Sequence, residues 1–513
     1  MSVALPPLAD TQLADNQMIA RGLRLPDRAF IDGDWAASTN GAVFETINPA
    51  TGAVLGTLPH CGPEDVDRAV AAARRAFRAG TWSRAAPEAR KAALLRLAAL
   101  IRRDGRDLAV MESLESGKPV TDCLKEITVE VPDIFQWYGE LIDKSYGHVA
   151  PTDDSACALV VREPIGVVAA VLPWNFPLLM ASWKLAPALA SGCSMIVKPA
   201  EETSLTTLRL AELAIEAGIP AGVLNVVTGP GETTGRLIGQ HGDIDAVSFT
   251  GSTEVGRLFL QYAGSSNLKT VGLEMGGKSP FIVLDDAALT PDLIDNAVMA
   301  AFWNGGQNCS ANMRQIVARS RQEEYVDKIT RRAAAIVIGD PLDPRTEMGP
   351  MISMQHRRRV QGLIDKGVSE GARAMLAPRG EVAALPGSFL SPAVFADLDP
   401  MMTIARDEIF GPVLGVLPVD SAARALEIAN GTDYGLHATV YTRDIDRALY
   451  FARRLACGTV SVNGFTEGDI KTPFGGYRKS GSLARDKGLE AMSQYQQVKT
   501  IWLSLTLPAE AGA

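Results

Sequence analysis

Ile165-Gly166-Val167-Val168-Ala169-Ala170-Val171-Leu172 is a short apolar, β-branched run that ends at the turn Pro173-Trp174-Asn175-Phe176-Pro177. A helical pattern near Ala181–Ala190 separates it from a second such run, Ser194–Val197. The alternation continues with a helix over Ser204–Ala217, a run at Leu224–Val227, a helix from Glu232, a run at Ala246–Phe249 and a helix from Thr253. Runs of this length bounded by turn residues and separated by helix-length segments predict βαβ units. The fold class is therefore α/β, with a Rossmann-like doubly wound parallel sheet. Such sheets bind ligands at the carboxyl ends of their strands. The uncharged run Gly166–Trp183 is broken by Pro173, Asn175 and Pro177, so it reads as strand and turn and not as a membrane span.

Toward the C-terminus a second alternation runs from Pro280 to about Gly481, through Phe281–Leu284, Gln315–Ala318, Val413–Val416 and Val460–Asn463. It predicts a second α/β domain facing the first. Toward the N-terminus, Phe30–Trp35 with Asp32-Gly33 at its centre reads as a hairpin, and Asn48–Gly52 as a turn. Helical pattern starts at Pro63, with Val66, Val70, Ala71 and Phe77 on one face, resumes over Glu88–Asp104 and continues to about Asp143. Residues 1–30 read as a polar, loosely structured arm. The late β run Val498–Leu505 is apolar enough to need cover from another subunit.

A chain of 513 residues holds roughly two to four structural units. Its net charge of −9 gives no basic face for nucleic acid. Six scattered cysteines, with no C-x-x-C pair and no histidine cluster, speak against a metal site or a disulfide framework and fit a cytoplasmic location. Met1–Arg24 lacks the pattern of a signal peptide.

Several strand ends carry residues with chemical potential. Phe249-Thr250-Gly251-Ser252-Thr253 is strand, turn and helix start, which offers free N–H groups to an anion or simply a capped βα turn. Lys198 and Glu201 follow the run Ser194–Val197; a carboxylate there accepts ribose hydroxyls, or the two form a solvated pair. Asn175, held between prolines, is a rigid amide donor suited to an oxyanion, or part of a buried aromatic turn. Glu274 ends an apolar run beside Gly276-Gly277; it is a candidate general base, or the partner of Lys278. Glu408 and Phe410 form another carboxylate and ring before Gly411-Pro412. In Phe302-Trp303-Asn304-Gly305-Gly306-Gln307-Asn308-Cys309-Ser310, two glycines break a helix over Leu289–Phe302 and a thiol follows at once. Cys309 is either a small buried hydrophobe or a nucleophile facing a cleft. All five histidines lie outside these motifs, so a Cys–His dyad is poorly supported, and activation would come from a helix dipole, backbone donors or Glu274.

In their order along the chain, Pro173–Pro177, Lys198–Glu201, Phe249–Ser252, Glu274–Lys278, Asn304–Cys309, Glu408–Pro412 and Pro473–Tyr477 through Ser480-Gly481 resemble the aldehyde dehydrogenase superfamily over roughly residues 25–507. The resemblance implies that Cys309 attacks an aldehyde, that Asn175 and the Cys309 N–H stabilise the oxyanion, and that Glu274 activates water to hydrolyse a thioester. It implies NAD as cofactor, with NADP possible. Trp174, Lys198, Glu201, Gly251, Ser252, Glu408 and Phe410 would line the cofactor site. Phe176, Trp183, Asn308, Ser310, Phe474, Glu130 and Glu467 would line the substrate tunnel. The same likeness divides the chain into a cofactor domain (1–135 and 157–279), a catalytic domain (280–481) and bridging, oligomer-forming β segments (136–156 and 482–513), in a homotetramer or homodimer. One departure stands out: the family usually reads Asn-Gln-Gly-Gln before the cysteine, whereas this chain has Gly305 second, which is expected to loosen the loop.

The nearest resemblance is to the bacterial branch oxidising ω-amino, guanidino and γ-glutamylamino aldehydes in polyamine catabolism, through Gly468-Asp469, Arg485-Asp486-Lys487 and Val498–Leu505. Glu467, Asp469, Glu126 and Glu130 would place acids at the tunnel mouth and attract a cationic substrate, or they are ordinary surface charges. Competing readings are a general aliphatic or aromatic aldehyde dehydrogenase, a CoA-acylating dehydrogenase, a cofactor-independent thiol hydrolase and a non-enzymatic binding protein of the same fold.

Overall fold

The structure, a computed structural model, describes residues 7–506. The apolar runs of the opening stretch form the centre of a seven-stranded sheet in the order Thr270–Met275, Ala246–Gly251, Val167–Val171, Ser194–Lys198, Leu224–Val226, Ala29–Ile31, Asp34–Ala36. The first five strands are parallel, and the last two are the predicted Asp32-Gly33 hairpin, joined antiparallel. From Val167–Val171 the chain winds outward to one side, then returns to build Ala246–Gly251 on the other. The point where the strand order reverses therefore lies between these two strands, and a crevice opens beyond their carboxyl ends.

The second sheet also has seven strands, in the order Arg373–Leu376, Ala393–Ala396, Val413–Val419, Arg314–Ala318, Pro280–Val283, His437–Tyr441, Thr459–Val462. All its pairs are parallel except the first. A third, antiparallel sheet joins Gln496–Ser504, Ala156–Pro164 and His148–Ala150. Among the described residues, no helix is long and apolar enough to cross a membrane.

Three features differ from the sequence reading. Residues 1–30 are not a loose arm throughout: Pro7–Gly22 is a helix whose Leu13, Ile19 and Ala20 pack on Val110, Val120 and Leu342. Asn16 Nδ2 donates to the Leu342 carbonyl at 3.0 Å. The partner surface lies about 100 residues away at Val110 and Val120 and over 300 away at Leu342, so a local pattern does not reveal it. On the helix Pro63–Ala79, Ala71 faces solvent; the buried stripe is Val66, Ala69, Val70, Ala73 and Ala76. Finally, Ala156–Pro164 belongs wholly to the three-stranded sheet, so a boundary at 157 falls inside a strand. Residues 482–495 instead pack on the first sheet's core through Ala491, Met492 and Tyr495.

One buried charge cluster bears on the site. Lys118 lies 2.8 Å from Glu112 and also pairs with Glu126, all three fully buried. Glu112 Oε2 accepts the Leu178 N–H at 3.1 Å and so caps the first turn of Pro177–Ser191. The Lys118 ammonium sits 4.8 Å from the Phe176 ring centroid. Glu126 is thus an internal partner of Lys118 and not a tunnel-mouth acid, and burial pushes its pKa up to about 8.

Candidate active site

The two strands at the crevice each end in residues that face it. Val167–Val171 leads into Trp174, Asn175 and Phe176; Ala246–Gly251 leads into Ser252, the N-cap of Thr253–Gly264. Ser252 Oγ accepts the Val255 N–H at 3.3 Å, so the simple capping reading holds, and Gly251 and Ser252 line the cleft as well. Thr250 lines the same space, with its Oγ1 buried and without a partner. On the other side of Val167–Val171, at the end of Ser194–Lys198, Lys198 Nζ donates to the Pro199 carbonyl at 2.9 Å and to Glu201 Oε2 at 3.2 Å. Glu201 Oε1 accepts the Gly231 N–H at 3.4 Å. A helix N-terminus and an anchored carboxylate, at strand ends on either side of Val167–Val171, fit the pyrophosphate and ribose groups of a dinucleotide.

Opposite lies the thiol. The helix Pro291–Phe302 ends, and Asn304, Gly305 and Gly306 follow with φ of +52°, +63° and +69°. At Gly306 a Cβ would come within 2.4 Å of the Gly411 carbonyl oxygen, so only glycine fits. At Gly305 there is room for a side chain, yet the left-handed backbone favours glycine. The loop is tied at several points. Asn175 Nδ2 donates to the Gln307 carbonyl at 2.9 Å, and Asn304 Nδ2 to the Asn175 carbonyl at 2.9 Å. Gln307 Nε2 donates to the Asn304 carbonyl at 3.1 Å while its Oε1 accepts the Ile352 N–H at 2.9 Å. The loosening expected from Gly305 has no counterpart in this bonding.

Cys309 is half-buried, and burial, then the carboxylates of Glu467, Glu408 and Glu274, hold its thiol pKa well above the usual thiol value. Glu274 is buried with neither carboxyl oxygen hydrogen-bonded. Burial and the nearby Asp486 push its pKa well up, against the opposing pull of Lys184 and Arg485. Lys278 forms no salt bridge with it: the ammonium is buried and unpartnered, and burial pulls its pKa down to about 7. Gly475 lets the chain pass beside Glu274, since a Cβ there would come within 2.6 Å of Oε1. Glu408 Oε1 accepts the Gly277 N–H at 3.0 Å, and burial raises that carboxyl to about 7. The Phe410 and Trp174 rings meet edge to face at 5.2 Å.

On the substrate side, Phe176 packs on Trp303 at 5.0 Å and Trp183 on Phe474 at 5.2 Å. Glu467 Oε1 accepts hydrogen bonds from Asn308 Nδ2 at 3.3 Å and from the Ser310 hydroxyl. All the residues expected at the site line one cleft of about 320 Å³ except Lys198, Glu201, Ser310 and Glu130. Lys198 and Glu201 sit further along the strand ends. Ser310 is fully buried behind Glu467, so it orients that carboxylate and does not line the tunnel. Glu130 lies outside the cleft, 3.9 Å from Lys125, although Glu467 contributes to raising its pKa after burial. Asp469 is exposed and paired with Lys471 at 3.1 Å.

Three features in or beside the cleft escape the sequence reading. His356 and Arg359 line the cleft from a helix with no motif of its own. Asp486, 3.0 Å from Lys184, lines it as well. Lys487 places its ammonium 4.9 Å from the Trp183 centroid and 5.3 Å from that of Phe474, and donates to the Glu467 carbonyl at 2.8 Å. The stretch Arg485-Asp486-Lys487 signals the last two; His356 and Arg359 have only tertiary proximity.

Residues 35–501 match the model of the Aldehyde dehydrogenase family. The chain belongs to that family. An aminoacetaldehyde dehydrogenase of Pseudomonas aeruginosa is 49% identical to it over 94% of this chain and 97% of its own length. A gamma-glutamyl-gamma-aminobutyraldehyde dehydrogenase from Burkholderia cenocepacia superposes with a TM-score of 0.93 at 46% identity, covering 96% of this chain and 100% of that one. The indole-3-acetaldehyde dehydrogenase of P. syringae, solved with NAD+, superposes with a TM-score of 0.94 at 43% identity, covering 96% and 99%. This aldehyde dehydrogenase is an NAD(P)-dependent oxidoreductase.

The raised thiol pKa sets an expectation for the cofactor-free aldehyde dehydrogenase. Alkylation of Cys309 by iodoacetamide, followed by peptide mass, should still be climbing at about pH 9. Glu467→Gln should speed it severalfold at neutral pH by removing a negative neighbour. A rate that levels off below neutral pH, unchanged by that substitution, contradicts this electrostatic picture.

Proposed function

We propose that this aldehyde dehydrogenase oxidises an ω-amino, guanidino or γ-glutamylamino aldehyde with NAD, through a thiohemiacetal and a thioester on Cys309. The balance is aldehyde, NAD+ and water to carboxylate, NADH and two protons. The observation that carries the reading is the gathering of Cys309, Asn175 and Glu274 in one cleft, with Ser252, Glu408 and Phe410 on its other side. Cys309 Sγ bonds to the carbonyl carbon as its proton passes to solvent, directly or by way of the ionised Glu274 carboxylate, which releases it before water is activated. Asn175 Nδ2 gives one hydrogen to the Gln307 carbonyl, which leaves its second for the oxyanion beside the Cys309 N–H. The bound nicotinamide supplies the hydride acceptor. Glu274 then takes a proton from water as the water oxygen bonds to the thioester carbon and the thiolate leaves. Asp486 and Lys184 pull the proton affinity of Glu274 in opposite directions and so tune that base.

Glu408 and Phe410 serve the nicotinamide ribose and ring, and Trp174 backs Phe410. Lys198 and Glu201 serve the adenosine ribose. The Glu201 carboxylate accepts hydroxyls and repels a 2′-phosphate, which favours NAD over NADP.

The substrate's far end is read by Glu467. Its carboxylate is fixed by Asn308 and Ser310 on the nucleophile's own loop. The rings beside it already accommodate an ammonium, that of Lys487. The likeness to the aminoacetaldehyde and γ-glutamyl-γ-aminobutyraldehyde enzymes supports the same class. A second reading, a general aliphatic or aromatic aldehyde dehydrogenase, draws on the apolar walls of Phe176, Trp183 and Phe474 and on the charge that Lys487 sets against Glu467.

The same aldehyde dehydrogenase is proposed to act as a homotetramer or homodimer. Gln496–Ser504 is an edge strand, and its Val498 and Trp502 are exposed.

With NAD, 3-aminopropanal and 4-guanidinobutanal should give higher kcat/KM than hexanal or benzaldehyde. Glu467→Gln should raise KM for the cationic substrates about tenfold, the scale of one hydrogen bond to a charged group, and leave hexanal unchanged. Equal or better turnover of hexanal with no effect of the substitution favours the second reading. In sedimentation velocity, Trp502→Asp should shift the protein to a smaller species; an unchanged sedimentation coefficient removes the strand from the interface.

A further inference from the structure

The segment that carries Glu408 and Phe410 is held in an unfavourable conformation, and what holds it is visible. Phe410 has φ of +57°, a left-handed backbone that a bulky residue adopts only when its surroundings impose it. Three consecutive carbonyls of this segment are each bonded to the same helix, Met354–Ser369. Arg359 Nη2 donates to the Glu408 carbonyl at 3.1 Å and Arg359 Nη1 to the Ile409 carbonyl at 2.9 Å. His356 Nε2 meets the Phe410 carbonyl at 2.6 Å; a carbonyl only accepts, so the imidazole carries its proton on Nε2. The spacing of three residues puts His356 and Arg359 on one helix face.

The clamp is itself anchored. Ser353 caps the helix, its Oγ accepting the His356 N–H at 3.1 Å. A Cβ on Gly411 would lie 2.6 Å from Val360 of that helix, so the segment after Phe410 is pressed onto it. The His356 ring sits 5.3 Å from Trp174 and 6.2 Å from Phe410, which closes a triangle of rings against the cleft. Burial lowers the His356 pKa to about 4, so the ring is neutral at neutral pH, with its one N–H directed at the Phe410 carbonyl.

We propose that His356 and Arg359 are positioning residues that hold the Glu408–Phe410 segment in the conformation that presents both side chains to the nicotinamide-ribose end of the cofactor. The proposal rests on the reading of Glu408 and Phe410 given above. It makes the helix Met354–Ser369, and not the strand-end motif alone, responsible for how tightly that half of the dinucleotide is held. Arginine is needed at 359 because one guanidinium satisfies two successive carbonyls, which a single ammonium does less well.

The test is a double-mutant cycle on the full-length enzyme, reading KM for NAD, kcat, and the Kd of ADP, which contains only the adenosine half. His356→Ala and Arg359→Met should each raise KM for NAD about fivefold to tenfold, the scale of one or two lost hydrogen bonds, and leave the ADP Kd unchanged. His356→Gln, which restores an N–H donor, should recover most of the loss. Because His356 acts through Phe410, His356→Ala and Phe410→Ala should combine far less than additively. Full additivity, or equal weakening of ADP and NAD, overturns the clamp. If Glu408→Gln and Phe410→Ala leave KM for NAD unchanged, the underlying reading of those two residues fails and takes the clamp with it. If they raise it while the helix variants do not, the clamp alone fails.

Discussion

Two reciprocal amide hydrogen bonds join the two large sheets at the point of chemistry. Asn175 stands at the end of a strand of the first sheet, and Asn304 and Gln307 stand on the loop that leads into the second. Asn175 donates to Gln307, and Asn304 donates back to Asn175. The left-handed run Asn304–Gly306 makes this exchange sterically possible, because it turns the chain out of its helix and across the seam. The Gln307 side chain extends the same linkage to Ile352, just before the helix that grips Glu408, Ile409 and Phe410. Cys309, Asn175 and the Glu408–Phe410 segment, proposed as nucleophile, oxyanion donor and cofactor-facing segment, are thus registered against one another by backbone carbonyls, whose positions follow from the fold itself.

That registration takes place in a largely buried setting, and the electrostatics follow from it. Glu274 and Lys278 are buried without partners, so each is pushed toward its neutral form. Cys309 is surrounded by three carboxylates that oppose its ionisation. A thiol and an acid that both prefer their protons make a quiet resting state; a positive charge arriving beside them favours the thiolate. The same desolvation strengthens any hydrogen bond made to a developing oxyanion. Glu467 differs in that its partners Asn308 and Ser310 flank Cys309 on one loop, so on the proposed reading charge at the substrate's far end and geometry at its reacting end are coupled through three adjacent residues.

The α/β alternation was legible because each core strand is an uninterrupted apolar run between turns, as Val167–Val171 and Pro280–Val283 show. Residues at strand ends were legible for the same reason: Asn175, Ser252 and Glu274 follow directly from where those runs stop. Features set by distant partners were not. Pro7–Gly22 is covered by residues around Val120 and Leu342. Glu126 looks like a surface acid until Lys118 is seen beneath it. Ser310 is adjacent to the nucleophile in sequence but turned away behind Glu467. His356 carries no motif, since its role depends on where Phe410's carbonyl lies after some 50 intervening residues have folded.

Cys309 is proposed to accept the acyl group, and Glu274 to activate the water that removes it. Intact-protein and peptide mass spectrometry of Glu274→Gln, mixed with NAD and an excess of 3-aminopropanal and quenched in acid, tests both halves together. The account predicts one acyl adduct per chain on Cys309, with one equivalent of NADH released and further turnover slowed by at least about a hundredfold. Turnover at the unsubstituted rate, or NADH release with the adduct absent from Cys309, would contradict it.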